Sequence, residues 1–160
     1  MAARRVPGIV VALVAAGTAL AFSHRPSYVD PRLGGWKAPL ETLCFQAGCG
    51  ELYYVAGVWL EDGGRLRVLS RSKVTLRRFD RRALGRFARA LVEELGPLVE
   101  AMAEREGLEE VVLTFYCSRL RRNVLALQVF ECRLPAQGFA SLGPVPLEVV
   151  ERREEALPPP

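Results

Sequence analysis

The sequence has little of the chemistry on which most catalytic and metal sites depend. It contains one histidine, His24, in 160 residues, so a metal site built on several histidines is excluded by number. A Ser-His-Asp or Cys-His arrangement would have to use His24. No Gly-rich phosphate-binding loop occurs, because Gly63-Gly64 belongs to a hairpin signal. We therefore expect a non-catalytic protein without cofactor or metal, and an enzyme with an unrecognised site remains an alternative.

Lysine, isoleucine and asparagine are also scarce. Lys37 and Lys73 are the only lysines among 22 basic residues, Ile9 is the only isoleucine and Asn123 the only asparagine. All three amino acids have AT-rich codons, so a GC-rich genome explains their scarcity. The abundance of arginine is for that reason weak evidence of a phosphate-binding role.

The N-terminus carries the signature of export. Arg4 and Arg5 precede an uncharged run from Val6 to Phe22, and Ala19-Leu20-Ala21 matches an A-x-A cleavage site. The run is at the short limit for a membrane span of about 20 residues, and the two arginines predict that the remainder is translocated. Residues 1–22 are therefore expected to be a cleaved signal peptide or a single uncleaved anchor. A buried core helix of a cytosolic protein fits less well, because the run has no polar positions at the helical period.

Three further segments follow. Residues 23–50 contain Pro26, Pro31 and Pro39, which predict an irregular region, and residues 51–150 carry regular patterns typical of one domain. Residues 151–160 are charged and then Pro-rich, which predicts a disordered tail.

Residues 51–150 predict an α+β domain. Four leucines with Phe87 and Met102, at spacings of three and four from Leu84 onward, predict one long amphipathic helix over Arg81–Glu106, capped by Asp80 and ended by Gly107. The order β-β-(β)-α-β-β indicates an antiparallel sheet of four to five strands with the helix on one face. The expected strands are Leu52–Leu60, Arg65–Ser70, Lys73–Phe79, Glu110–Ser118, Val124–Leu134 and Val145–Val150.

The four cysteines, Cys44, Cys49, Cys117 and Cys132, are candidates for disulfides if the chain is exported. Pairing Cys44 with Cys49 leaves Cys117 for Cys132. A turn near Arg121-Asn123 would however place those two cysteines several residues out of register, too far for a bridge. A four-cysteine zinc site or a redox thiol is less consistent with the spacing, and buried structural thiols remain the simple alternative.

Charge is divided along the chain. Ten basic residues and one acid lie between Arg65 and Arg89, whereas seven acids and one base lie between Ala90 and Tyr116. The predicted helix thus starts positive and ends negative, the reverse of what the helix macrodipole favours. We predict that an anionic partner binds a basic face, and the alternative is a solvated surface. The candidate binding residues are Arg78, Arg81, Arg82, Arg86 and Arg89.

These observations indicate an exported or membrane-tethered envelope protein, periplasmic or otherwise extracytoplasmic, that acts as a structural or interaction module. The expected partner is a protein or an anionic envelope component, with the membrane added if the N-terminal segment is uncleaved. Nucleic acid is not favoured, because few aromatics accompany the arginines. Self-association, basic end to acidic end, is a further expectation. The alternative is a soluble periplasmic or secreted domain that binds an anionic ligand.

Overall fold

The computed structural model describes residues 24–76 and 78–156, which form an α+β fold with a mixed sheet of six strands and two helices. Helix α1 is Lys37–Gly48 and helix α2 is Arg81–Glu106, and short 3₁₀ helices occur at Pro31–Trp36 and Phe139–Ser141. The strands are β1 Tyr28–Val29, β2 Tyr53–Glu61, β3 Arg65–Ser72, β4 Glu110–Arg121, β5 Val124–Pro135 and β6 Glu148–Ala156.

The sheet corrects the expectation of an antiparallel sheet with one helix. Its strands lie in chain order, with β3 parallel to β4 and β1 parallel to β2, while the remaining pairs are antiparallel. The long helix explains the β3–β4 pair. It carries the chain from one end of the sheet back to the other, so the next strand enters in the same direction.

Helix α2 has the predicted bounds and provides the centre of the core. Asp80 caps it by accepting hydrogen bonds from the backbone N–H groups of Arg82 and Ala83, and Gly107 ends it in the left-handed conformation. Phe87 packs against Tyr53 of β2 and Phe115 of β4, with ring centroids 5.6 and 6.0 Å apart. These contacts fix one face of α2 on the sheet and leave its opposite face to solvent.

Residues 24–50, the described part of the segment expected to be irregular, are more regular than expected. Pro31 begins the first 3₁₀ helix, and Pro39 lies in the first turn of α1, where a missing N–H costs no intrahelical hydrogen bond. The buried carboxylate of Asp30 binds the backbone N–H and guanidinium of Arg32 and the N–H of Leu60. Asp30 thereby joins this segment to β2.

The predicted disordered tail is also corrected in part. Strand β6 reaches Ala156 and pairs antiparallel with β5, and residues 157–160 lie outside the described residues. Charges along Glu151–Glu155 suggested disorder, but such charges are also what an exposed edge strand carries.

The hairpin predicted between β4 and β5 is confirmed. Arg122 and Asn123 have φ angles of 49° and 61°, as a two-residue turn with two positive φ values requires.

The predicted signal or anchor, residues 1–22, lies outside the described residues. In the part of the chain that the structure describes, we found no helix long and apolar enough to cross a membrane.

Candidate docking surface

All five candidate arginines are exposed, and they lie at or near the N-terminal end of α2. Arg82, Arg86 and Arg89 follow one another at spacings of four and three, which places them on one stripe of the helix. Arg78 precedes the helix, and Arg81 donates a hydrogen bond to the carbonyl of Leu147 at 3.3 Å.

These arginines are not neutralised within the chain. Among residues 24–76 and 78–156, no carboxylate forms an ion pair with Arg82, Arg86 or Arg89. Arg89 and Glu93, four residues apart on the helix, form no ion pair. Asp80, the nearest acid in sequence, accepts the capping hydrogen bonds of the helix instead. The side chains of Arg82, Arg86 and Arg89 are therefore available to an external anion.

The same stripe continues with acids. Glu93 and Glu104 are exposed and Glu100 is half-buried, and Glu100 Oε1 accepts a hydrogen bond from the Ala140 N–H at 3.1 Å. We call this surface the α2 ridge, and its members are Arg82, Arg86, Arg89, Glu93, Glu100 and Glu104. Its basic half lies over the positive end of the helix macrodipole, where the charge is unfavourable to the helix itself.

A second group of arginines forms ion pairs within the chain. It lies on the sheet face opposite the helices, and Arg67 is its centre. The Arg67 guanidinium binds Glu61, donates to Thr114 Oγ1 at 2.8 Å and contacts Glu131 at 3.1 Å. Arg65 binds Glu110 at 2.5 Å. We call this group the sheet-face network, and its members are Glu61, Arg65, Arg67, Glu110, Thr114, Glu131 and Arg133.

The network holds its groups in their charged forms. The hydrogen bond from Arg67 keeps the pKa of Glu61 below its ordinary value, and the bond to Glu61 raises the pKa of Arg67. Val112, fully buried, is paired across the sheet with Arg67 on one side and Arg133 on the other. Long arginine side chains can cover such an apolar residue with their stems.

Sequence reasoning missed this network. The alternation of Arg65, Leu66, Arg67 and Val68 had indicated that the two arginines share a face. The partners Glu110 and Glu131 lie 45 and 64 residues away from Arg65 and Arg67 respectively. Only the register of β3, β4 and β5 brings these charges together.

The expected disulfides are not formed, since all four cysteines are free and no pair lies at bonding distance. Cys117 is opposite Gln128, and Cys132 is opposite Leu113. The two cysteines are therefore four residues out of register on adjacent strands, an offset of about 13 Å at the rise of a strand.

The other expected pair is separated by a helix. Cys44 lies within α1 and Cys49 directly after it, and positions five residues apart project about 140° apart around a helix. Cys49 donates a hydrogen bond to the Phe45 carbonyl.

Three of the thiols are part of the core. Burial raises the pKa of Cys44 to about 12 and those of Cys117 and Cys132 to about 11. Because the thiolate is the reactive form, these groups are poorly suited to redox chemistry at neutral pH.

The acidic end of α2 adjoins a cleft of about 530 Å³. Its rim includes Glu61, Asp62 and Glu106, and Trp36 donates a weak hydrogen bond of 3.4 Å to Glu106. None of the five candidate arginines lines this cleft. Arg32 also lines the cleft but is paired with Asp30, so the three acids of the rim do not favour the anionic ligand of the alternative hypothesis.

His24 is exposed and its ring contacts Tyr54 with centroids 4.9 Å apart. In the described part of the chain, no three His, Cys, Asp or Glu side chains are grouped closely enough to hold a metal ion. The absence of catalysis, cofactor and metal stays a prediction.

No family model, no curated protein and no solved structure matches this chain.

Proposed function

We propose that this protein is a non-catalytic, exported or membrane-tethered interaction module of the cell envelope that docks through its Arg-rich face onto an anionic partner. The observation that carries the proposal is the set of exposed arginines at the start of α2 that form no ion pair with any described carboxylate. The proposed docking residues are Arg78, Arg81, Arg82, Arg86 and Arg89.

The contrast with the sheet-face network supports a role for these residues. In that network, Arg65, Arg67 and Arg133 are all matched by glutamates. Arg82, Arg86 and Arg89 form no ion pair with a described carboxylate, and they lie toward the end of the helix where positive charge is least favourable. Surface charges of one sign raise the rate at which an oppositely charged partner associates.

Export is proposed on the apolar run Val6–Phe22 and the cleavage signal Ala19-Leu20-Ala21. The mass of the protein purified from its own cells distinguishes the two forms of this proposal. Loss of about twenty residues excludes the anchor. A full-length chain recovered from the soluble cytosol contradicts export altogether.

The docking test is a pull-down of the full chain from envelope membranes in which R82Q/R86Q/R89Q is compared with wild type. We expect the variant to retain less than about a tenth of the bound material. Wild type should lose its partner in 1 M salt, where the Debye length falls to about 3 Å.

The matched control is R105Q/R121Q/R152Q, which removes the same number of positive charges from exposed arginines elsewhere that form no ion pair with a described carboxylate. It should bind as wild type does. An equal loss of binding in both triple variants would show a nonspecific effect of net charge. Full binding by both variants would contradict the proposal.

A further inference from the structure

The charges of the α2 ridge are complementary to those of a second, antiparallel copy of the same ridge. Arg82 and Glu104 lie eleven residues from Glu93 on either side, and Arg86 and Glu100 lie seven residues from it. Seven and eleven residues correspond to about two and three helical turns, so each spacing returns to the same side of the helix. A second α2 laid antiparallel across Glu93 would therefore present glutamates opposite arginines at both ends.

We propose that the anionic partner of the Arg-rich face is a second copy of this chain, bound through an antiparallel α2–α2 contact. The inference rests on the proposed function, and it names the partner. Arg82 of each copy lies opposite Glu104 of the other, and Arg86 lies opposite Glu100. At the two-fold axis, Glu93 of each copy lies opposite Glu93 of the other, and the Arg89 side chain of each copy lies one helical turn away, where it can balance the two carboxylates.

The middle of the ridge offers apolar surface next to these charges. A groove of about 280 Å³ lies between Arg89, Val92 and Glu93 on the helix and the segment 140–145. Leu142 and Val145 belong to its wall and are only partly buried. An apolar centre with a charged rim is the usual arrangement of a protein interface.

The acidic end of the ridge offers a place for an arginine side chain. A cavity of about 400 Å³ is lined by Glu100 and Glu104, by the apolar side chains of Ala103 and Leu108, and by the loop at Gln137. Arginine has an apolar stem and a charged head, so it can use both parts of such a lining. In the antiparallel arrangement, Arg82 and Arg86 of the second copy are the side chains that reach this end.

The symmetry favours a closed pair over the chain of head-to-tail copies that the charge division alone suggests. In an isologous contact each residue pair occurs twice, so the charges of both α2 ridges are used within the pair and do not recruit a third copy. Antiparallel helices also bring opposite macrodipole ends together. Since exposed ion pairs contribute little individually, we expect a dimer that depends strongly on salt.

The test is sedimentation equilibrium of the full chain with two charge-reversal variants, R82E/R89E and E93R/E104R. Glu100 is left unchanged because its carboxylate accepts a hydrogen bond from the Ala140 N–H. Wild type should be a dimer at low salt and a monomer in 1 M salt. Each variant alone should dimerise at least tenfold more weakly, and an equimolar mixture of the two should restore a dimer containing one chain of each.

The control variant R105E/R152E reverses two arginines outside the ridge and should dimerise as wild type does. A wild-type chain that stays monomeric at low salt, or a mixture that fails to form the mixed dimer, would overturn the inference. So would a series of species larger than the dimer.

The proposed function can survive that failure. If wild type is monomeric but R82E/R89E still loses envelope binding while E93R/E104R keeps it, the Arg face docks onto an anionic component other than its own copy. If neither variant affects envelope binding and no dimer forms, both proposals are wrong.

Discussion

The sheet-face network and the α2 ridge use the same residues, arginine and glutamate, in opposite ways. In the network, Arg67 is half-buried and shared between Glu61 and Glu131. On the ridge, Arg86 is exposed and no described carboxylate pairs with it. The difference shows that the position of an arginine, in the sheet register or on a helix surface, decides whether it is paired within the fold.

The largest expected effect is on stability. Arg67→Ala should lower the free energy of unfolding by about 2 kcal/mol, between the values for exposed and fully buried ion pairs. It leaves Glu61 and Glu131 without their shared cation and uncovers Val112. Urea unfolding measures this change. Arg86→Ala, as the ridge counterpart, should stay within about 0.5 kcal/mol of wild type, and equal losses in both variants would remove the distinction.

A double-mutant cycle separates the ionic contribution from the packing contribution. If Arg67 and Glu131 act as a pair, R67A/E131A should be less destabilised than the sum of the single variants by about 1 kcal/mol. The cycle uses the same urea measurement. A coupling energy near zero would mean that the pair with Glu131 does not contribute, and that Arg67 acts through Glu61 and the coverage of Val112.

Replacing an arginine in the first turn of α2 by an acid tests the effect of the helix macrodipole on stability. Arg82→Glu should raise the free energy of unfolding of the monomer by about 0.3–1 kcal/mol, because it places an acid in the first turn of α2. Unfolding is followed at 1 M salt, where the proposed dimer is dissociated, and again at lower salt and high dilution. Loss of stability in the dilute monomer would show that Arg82 contributes to the fold.

The smallest expected effect is on the pH dependence of the free energy of unfolding. Because the pKa of Glu61 is lower in the folded chain than its ordinary value of 4.5, its contribution is complete above that value. The contribution is lost as the pH falls through the lower, folded pKa. Glu61→Gln should therefore lose less stability than wild type on acidification below about pH 4.5. Arg86→Gln should follow the wild-type curve, and acid unfolding monitored by circular dichroism measures both.

Periodicity predicted the helix best. The apolar repeat of Arg81–Glu106, with Asp80 before it and Gly107 after it, predicted both ends of α2 as the structure has them. This worked because caps and the helical repeat are local properties. The β4–β5 hairpin at Arg122-Asn123 was predicted for the same reason.

Sequence patterns predicted the wrong structure where the same residue type occurs in two kinds of structure. Pro31 and Pro39 break regular structure in a helix interior but are accepted in a first turn, so α1 and the preceding 3₁₀ helix were missed. The charges of β6 suggested a disordered tail and belong to an edge strand. The cysteines suggested bridges, but the register of β4 and β5 separates Cys117 from Cys132.

The sequence by itself determined the charge division of this protein, the exposure of Arg82, Arg86 and Arg89, and their position on the outer stripe of one helix. Only the tertiary structure decided which arginines are neutralised. Glu131 meets Arg67 across 64 residues of chain, because strand order and register, and not distance along the sequence, bring charges within reach of one another.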